Sequence, residues 1–574
     1  MSLNRLIIGP IPSDYSPESD IVLSPYSFIG QEDKYPNWAK VAYPEPQFDQ
    51  GAFLQFTDTF LNGDLFLELM AYLNEKHGVA YESPFWRTLV MPFVLELWGV
   101  VSSCFLTLLP AFEQYSEYPL RVDLIDIVGT WDFVDMTDFN LRGLKSPLFI
   151  YWVLSQICEK FCPDMWRCHV TTLSISRPSH VESFSDNRTT RFHGVGGFLH
   201  GVEGFSSVQS DVLSWVLHFK GFIKKTRPPV ETFPYYATGG SVCASDEWNV
   251  VFQSKFTSFF RALLFANLPK PVTVHFNHFQ KKALKQRYRK GAMRVIRTAY
   301  YDHEQIKFFI AHALAAGEVI VGSQHGGSYG IDLYHYSSFE LEIKNRWFMT
   351  WGWASQEGIS TNLIALSSPI CTRYWNKYKK TSLAIVFVST HVCPISLGCL
   401  YSEWFGHGWL DYIQRKHRFL NTLSSEKHAC LLYRPHPGTQ GALTEIPTLM
   451  AAHPSLRICE GDLKPWLLGA ALLILDNAST TLNFIVSANA PFILFLSPDI
   501  KFSKEATAVF DLFREVGILY DTPEQAAAAI NGLGDIPKWW ASETVQNARQ
   551  KWMFLYARPE KYVFWSWVKT LWCV

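Results

Sequence analysis

From residue 383 onward, short apolar runs alternate with stretches of helical length, and this alternation constrains the fold more than any other feature. The runs are Leu383–Val388, Ala429–Tyr433, Leu456–Cys459, Ala471–Leu475, Phe492–Leu496 and Gly517–Tyr520. Runs this short and this continuously apolar read as strands covered on both faces. Joined mostly by helix-length connections, they predict a mostly parallel sheet with helices on either side. Pro523–Ile530 and Ala541–Tyr556 carry helical spacing after the last of them.

The first half is less regular. Arg5–Gly9 and Asp20–Ser24 read as short buried strands ending in turn residues, and Val122–Val128 as a third. Between them, residues 53–112 repeat apolar positions at helical spacing, which predicts a helical insertion or lid. Within it, Leu97–Phe112 is uncharged, closed by Glu96 and Glu113. That stretch falls short of the ~20 residues a membrane span needs, so a buried helix is expected. The region containing Pro178, Gly194, Gly196, Gly197 and Gly201 holds no period and reads as loops and short elements. Beyond it, Pro271–Phe276 reads as a strand, Asp302–Ala316 as a helix and Glu318–Gly322 as a strand.

A chain of 574 residues exceeds one ordinary core, so two or three domains are expected. The pattern divides it into a first α/β domain over 1–350, a connection over 351–380, a second α/β domain over 381–540 and a helical tail over 541–574. The tail mixes Trp, Phe and Tyr with Lys and Arg. It reads either as an amphipathic helix on a membrane surface or as a terminal helix packing back on the first domain.

Fifty-one basic residues against fifty-two acidic ones leave no general attraction to nucleic acid, so anion binding must be local. Eleven scattered cysteines and no apolar leader point to the cytosol. Cys158, Cys162, Cys168 and His169 lie close together, but their spacing is not a common zinc pattern, and buried thiols are expected instead. The basic decapeptide Lys281–Lys290 suits an anionic acceptor, lipid headgroups or a solvated helix face.

Three segments carry candidate chemistry. Gly322-Ser-Gln-His-Gly-Gly-Ser-Tyr-Gly330 follows an expected strand, so it should emerge at the carboxyl end of a parallel sheet, where open α/β folds bind ligands. His325 is its proton-transferring candidate, while Gln324, Gly326 and Gly327 let backbone approach a ligand. Arg434-Pro-His436-Pro437 ends a strand of the second domain, with Arg434 and His436 suited to a phosphate or a sugar hydroxyl. Asp476 and the hydroxyls of Ser479, Thr480 and Thr481 stand where a strand ends and a helix begins, an arrangement that binds anions. Glu340 and Glu342 are candidates for a base or a sugar-orienting group, or else exposed strand residues. No D-x-D motif stands in a convincing place, so no metal is expected to be required.

Together with Leu23-Ser-Pro25, the segments Gln324–Gly327, Thr350-Trp-Gly-Trp353, Arg434–Pro437 and Asp476–Thr481 resemble a bacterial family of transferases first named from a leptospiral O-antigen cluster. More distantly, His436-Pro437 and Ser479-Thr480 resemble motifs of sialyltransferases and Kdo transferases, where they hold the CMP part of the donor. His325-Gly326 resembles a loop of teichoic-acid glycerophosphotransferases whose His is the proposed base, although Gly327-Ser-Tyr follows here instead of Thr-Pro. The resemblance implies a GT-B-like fold of two Rossmann-like domains facing a cleft. It implies a cytoplasmic glycosyltransferase of surface polysaccharide, O-antigen or capsule, in peripheral contact with the inner face of the membrane. The donor would be a CMP-sugar or CDP-linked group and the acceptor a glycan or lipid-linked glycan, with no cofactor. The alternatives are a CDP-polyol phosphotransferase, a sugar-nucleotide epimerase and a non-catalytic polysaccharide-assembly protein.

Overall fold

Three parallel sheets organise the chain in the computed structural model. It describes residues 5–45, 50–174, 205–206, 208–209, 212–213, 216, 246–291, 293–297, 300–344, 346–356, 362–390, 400, 408–437 and 443–573. The glycine- and proline-bearing loops expected around 178–201 lie outside the described residues.

The first half divides its strands over two sheets. β1 (Arg5–Ile7), β2 (Asp20–Val22), β3 (Arg121–Ile127) and β4 (Arg167–Leu173) form one, in the order β2-β1-β3-β4. β5 (Met293–Arg297), β6 (Val319–Ser323), β7 (Trp347–Thr350) and β8 (Leu363–Ala365) form the other, in sequence order. Since β8 pairs with β7, the segment taken as a connection from residue 351 supplies a strand to the first half.

The second half holds β9 (Ile385–Val388), β10 (Leu431–Arg434), β11 (Leu472–Leu475), β12 (Phe492–Phe495) and β13 (Leu519–Tyr520), ordered β10-β9-β11-β12-β13. Every residue of β9, β11 and β12 is buried, as sheets covered on both faces require. The run Leu456–Cys459 makes only a single bridge, Ile458 to Tyr433, beside β10.

Residues expected as an insertion form helices Gln50–Asn62, Asp64–His77 and Ser83–Gln114. The last is no lid: it runs through the main core with Phe93, Trp98 and Phe105 buried. Among the described residues it is the one helix long and apolar enough to cross a membrane, and 94% of its apolar window is buried inside the fold. Glu96 does not close it, because burial pushes its carboxyl up to about 8 and removes the charge at neutral pH. The run Pro271–Phe276 is not a strand. Pro271 lacks the amide a ladder needs and instead starts the turn Lys270–Val272, after which Phe276 begins the helix Phe276–Ala283.

The tail packs on both halves, the helix Glu543–Tyr556 mainly on the second and the helix Val563–Cys573 on the first. In the helix Glu543–Tyr556, buried Trp552 stacks with Phe513 and donates to Asn483 Oδ1 (3.0 Å). Gly352 lies beneath that helix at φ 129°, where a Cβ would stand 2.6 Å from the Phe554 carbonyl oxygen. In the helix Val563–Cys573, Trp567 packs with Val321, Met349, Ile364 and Leu366 of the second sheet and its border, and donates to the Ser367 carbonyl (2.7 Å). Tyr562 and Trp565 stay exposed.

Candidate active site

At the end of β6 the chain turns through Gln324 into the glycine loop. Ser328 and Gly330 take positive φ (67° and 74°), and a Cβ on Gly330 would meet the Trp353 ring at 2.6 Å. The turn therefore closes tightly against the Thr350–Trp353 segment. It leaves the His325 side chain part-exposed above Glu342, with Nε2 3.8 Å from Glu342 Oε1.

Glu342 is fully buried on a π-helical turn, Phe339–Ile343, a geometry that turns it inward and rules out the exposed-strand alternative. Tyr329 donates to its Oε2 (2.6 Å) and Tyr301 to its Oε1 (2.7 Å). The Tyr329 oxygen also lies 3.3 Å from His325 Nδ1. A carboxylate held by two phenols beside an imidazole can orient that ring and stabilise its protonated form. His335 stacks edge-on against Tyr329, and desolvation lowers it to about 4, so it stays neutral.

The second half meets this loop directly. The Gly327 amide donates to Thr480 Oγ1 (2.7 Å), and a Cβ on Gly327 would stand 2.2 Å from the Thr480 nitrogen. Ser503 adds a bond to the Gly330 carbonyl (2.8 Å). Thr480 begins the helix Thr480–Ala488, whose N-cap, Ser479, has extended backbone and no side-chain capping bond. Ser479, Thr480 and Thr481 are all part-exposed. First-turn amides that Ser479 does not cap thus gather with the Ser479 and Thr481 hydroxyls beside the loop that carries His325, an arrangement suited to an anion.

The sequence model of the LIC12162 family of transferases matches residues 4–571. The chain belongs to that family. Among solved structures it is similar to MurG of Acinetobacter baumannii, at 14% identity and a TM-score of 0.30, covering 52% of this chain and 77% of that one. It is also similar to UGT71G1 of Medicago truncatula complexed with UDP-glucose, at 12% identity and a TM-score of 0.23, covering 47% and 57%. No curated protein matches it.

Three residues expected to act on substrate have other work in this LIC12162 family transferase. Gln324 is buried, and its amide ties the loop together: Oε1 accepts from the Trp351 amide (2.8 Å) and Trp353 Nε1 (2.9 Å), while Nε2 donates to the Gly326 carbonyl (2.8 Å). These bonds brace the loop. Glu340 pairs with Arg87 (2.5 Å) and with Lys344, an internal ion cluster instead of a partner for His325. Arg434 donates to the carbonyls of Cys459 (3.0 Å) and Gly461 (2.6 Å). That ties the following segment to β10 and leaves less of the guanidinium for phosphate.

His436 and Pro437 are exposed after β10, the edge strand, with β9 between them and β11. Asp476 is buried at the end of β11, accepting from the Tyr412 hydroxyl (2.8 Å). No spacing in the sequence singles out Tyr301, Tyr329 or Tyr412. Lys416 left a detectable signal: in the helix Gly408–Thr422, Trp409, Tyr412, Ile413, Phe419 and Leu420 share a buried face with it, and a lysine on an apolar face invites the question of its partner.

Proposed function

We propose that this transferase is a glycosyltransferase of GT-B type, moving a sugar from a cytidine-nucleotide donor, such as a CMP-sugar, to a glycan or lipid-linked glycan acceptor of O-antigen or capsule. The observation that carries the reading is the Gly327–Thr480 contact, which sets the candidate base two residues from a loop position touching a helix N-terminus. A base and an anion site brought together by two halves of a chain are what group transfer from an activated phosphate requires.

In this reading His325 takes the proton of the acceptor hydroxyl as its oxygen bonds to the sugar. The bond from sugar to phosphate breaks, and CMP leaves with the electron pair, its charge met by the Thr480–Ala488 helix terminus and the Ser479, Thr480 and Thr481 hydroxyls. Glu342 holds the imidazole and stabilises the imidazolium. His436 lies on the opposite side of β9, suited to the nucleoside end of the donor. No metal enters the scheme. Tyr562 just before the last helix, with Trp565 and Lys569 on its exposed face, supports peripheral contact with a membrane.

Product analysis tests the reaction. Incubation with CMP-sugars and acceptor should release CMP and form a glycosidic bond. Release of CMP from a CDP-polyol with formation of a phosphodiester would favour the phosphotransferase instead.

A further inference from the structure

Beneath the Asp476 turn lies a lysine with no exposed surface. The Lys416 ammonium donates to Ser389 Oγ (2.5 Å), the Tyr433 hydroxyl (2.9 Å) and Glu445 Oε1 (3.1 Å), and stands 3.8 Å from Asp476 Oδ2. Its Nζ lies 3.9 Å from the centre of the Tyr412 ring. Tyr412 donates to Asp476, and Tyr433 to Glu445 (2.6 Å). One ammonium thus joins groups from the ends of β9 and β11, from β10, and from the segment after it.

Their location is informative. The chain leaves β9 for β10 on one side and returns to β11 on the other, a switch point of the kind at which open parallel sheets bind ligands. Packing alone does not call for ions there, since apolar residues of similar volume usually serve a core as well or better. Asp476 Oδ1, moreover, is buried without a short hydrogen bond among the described residues, and the Thr390 backbone is the donor that faces this carboxyl at the ligand end of the sheet.

We propose that Lys416 is a positioning residue of the donor site: its ammonium holds Asp476 as an oriented carboxylate and so fixes the Asp476–Thr481 turn that receives the nucleotide phosphate. The proposal rests on the donor reading above for its ligand, but the Lys416–Asp476 coupling stands on the geometry alone. Burial pushes the Asp476 carboxyl up to about 6, and Lys416 is the largest influence holding it down. The other groups facing the pair are Glu445, whose carboxyl is held below its ordinary value chiefly by Lys416, and the Tyr412 and Tyr433 hydroxyls, which burial raises. Without the ammonium, burial prevails and Asp476 is uncharged near neutrality.

The test compares melting temperatures across pH for the full chain, with and without Asp476→Asn, in wild-type and Lys416→Met backgrounds. The difference between each pair reports the Asp476 proton. In wild type it should change between the ordinary 3.8 and about 6 and level off above that; in Lys416→Met the upper limit of the change should rise by about one unit or more, the effect of removing an opposite charge at this range. An unmoved upper limit overturns the proposal. If Lys416→Met does not fold, Lys416→Met/Glu445→Gln removes the pair together and carries the same comparison.

A second arm measures CMP binding. Lys416→Met should lose affinity about tenfold near pH 7, the scale of one hydrogen bond to a charged group, and recover it as alkali ionises Asp476. Asp476→Asn should lose it at every pH. Unchanged CMP affinity in Lys416→Met overturns the positioning role. Failure of the wild type itself to bind CMP sinks the donor reading, and the titration of the unliganded protein still decides the Lys416–Asp476 coupling.

Discussion

Gly327 and Thr480, 153 positions apart, touch so closely that the amide of one donates to the side-chain oxygen of the other at 2.7 Å with no room for a methyl group between them. The contact joins the β6 loop of the first half to the β11 turn of the second, and with it a histidine to a helix terminus.

Gly327→Ala should therefore separate the two loops. The added Cβ meets backbone, which cannot swing away as a side chain would, so a cost of about 1–3 kcal/mol is expected from overpacking. Gly326→Ala is the control, since its Cβ meets only Thr480 Oγ1 at 3.4 Å. Denaturant unfolding of the two variants should show a loss for Gly327→Ala alone.

His325→Ala should reduce kcat about 10²–10⁴-fold, the usual contribution of a general base, with the fold unchanged. Glu342→Gln keeps the shape but removes the charge that supports the imidazolium, and should lose a smaller factor in kcat. Glu340→Gln should leave kcat near wild type and instead cost on the order of 3 kcal/mol of stability, because Arg87 and Lys344 lose their shared carboxylate. Turnover and melting measured on the same three proteins separate the catalytic carboxylate from the structural one.

Much of this was legible in the sequence, for identifiable reasons. β9, β11 and β12 are buried on both faces, so their residues are apolar without interruption and visible as runs. The helix at Thr480 announced itself by three successive hydroxyls after a strand. Val272, Val274 and Phe276, interleaved with Thr273 and His275, imitate strand alternation, while Pro271 opposes it. The inward turn of Glu342 depends on a π-helical turn that no spacing rule anticipates, and the roles of Gln324 and Arg434 depend on partners from other segments, the Trp351 amide and Trp353 indole N–H for one and the Cys459 and Gly461 carbonyls for the other.

Trp567→Ala should destabilise by about 3–5 kcal/mol, since the indole is buried against the second sheet and hydrogen-bonded to Ser367. Trp565→Ala, on the exposed face two residues away, should leave the melting temperature within error. Equal effects would contradict the packing of the tail.

Stability should fall as the solution is acidified below about 6.5. His335 and His417 are both lowered to about 4 by desolvation. Between those values the unfolded chain binds protons that the folded chain refuses, so each histidine withdraws stability as pH drops. Asp476 acts oppositely: its folded value of about 6 lies above its ordinary 3.8, so the folded chain holds a proton there and offsets part of the loss. Replacing His335 with Asn should reduce the slope of unfolding free energy against pH by up to one proton.

The central claim, a cytidine-nucleotide site at the Asp476–Thr481 turn, is tested most directly by thermal shift of the purified protein with CMP, CDP, UMP, UDP and GDP, each with and without EDTA. The account predicts selective stabilisation by CMP or CDP, unaltered by EDTA and lost in Ser479→Ala/Thr480→Val. Ligand at about 100 times its Kd should add roughly 2.7 kcal/mol. Preference for a uridine or guanosine nucleotide, or no response to any of them, would contradict it.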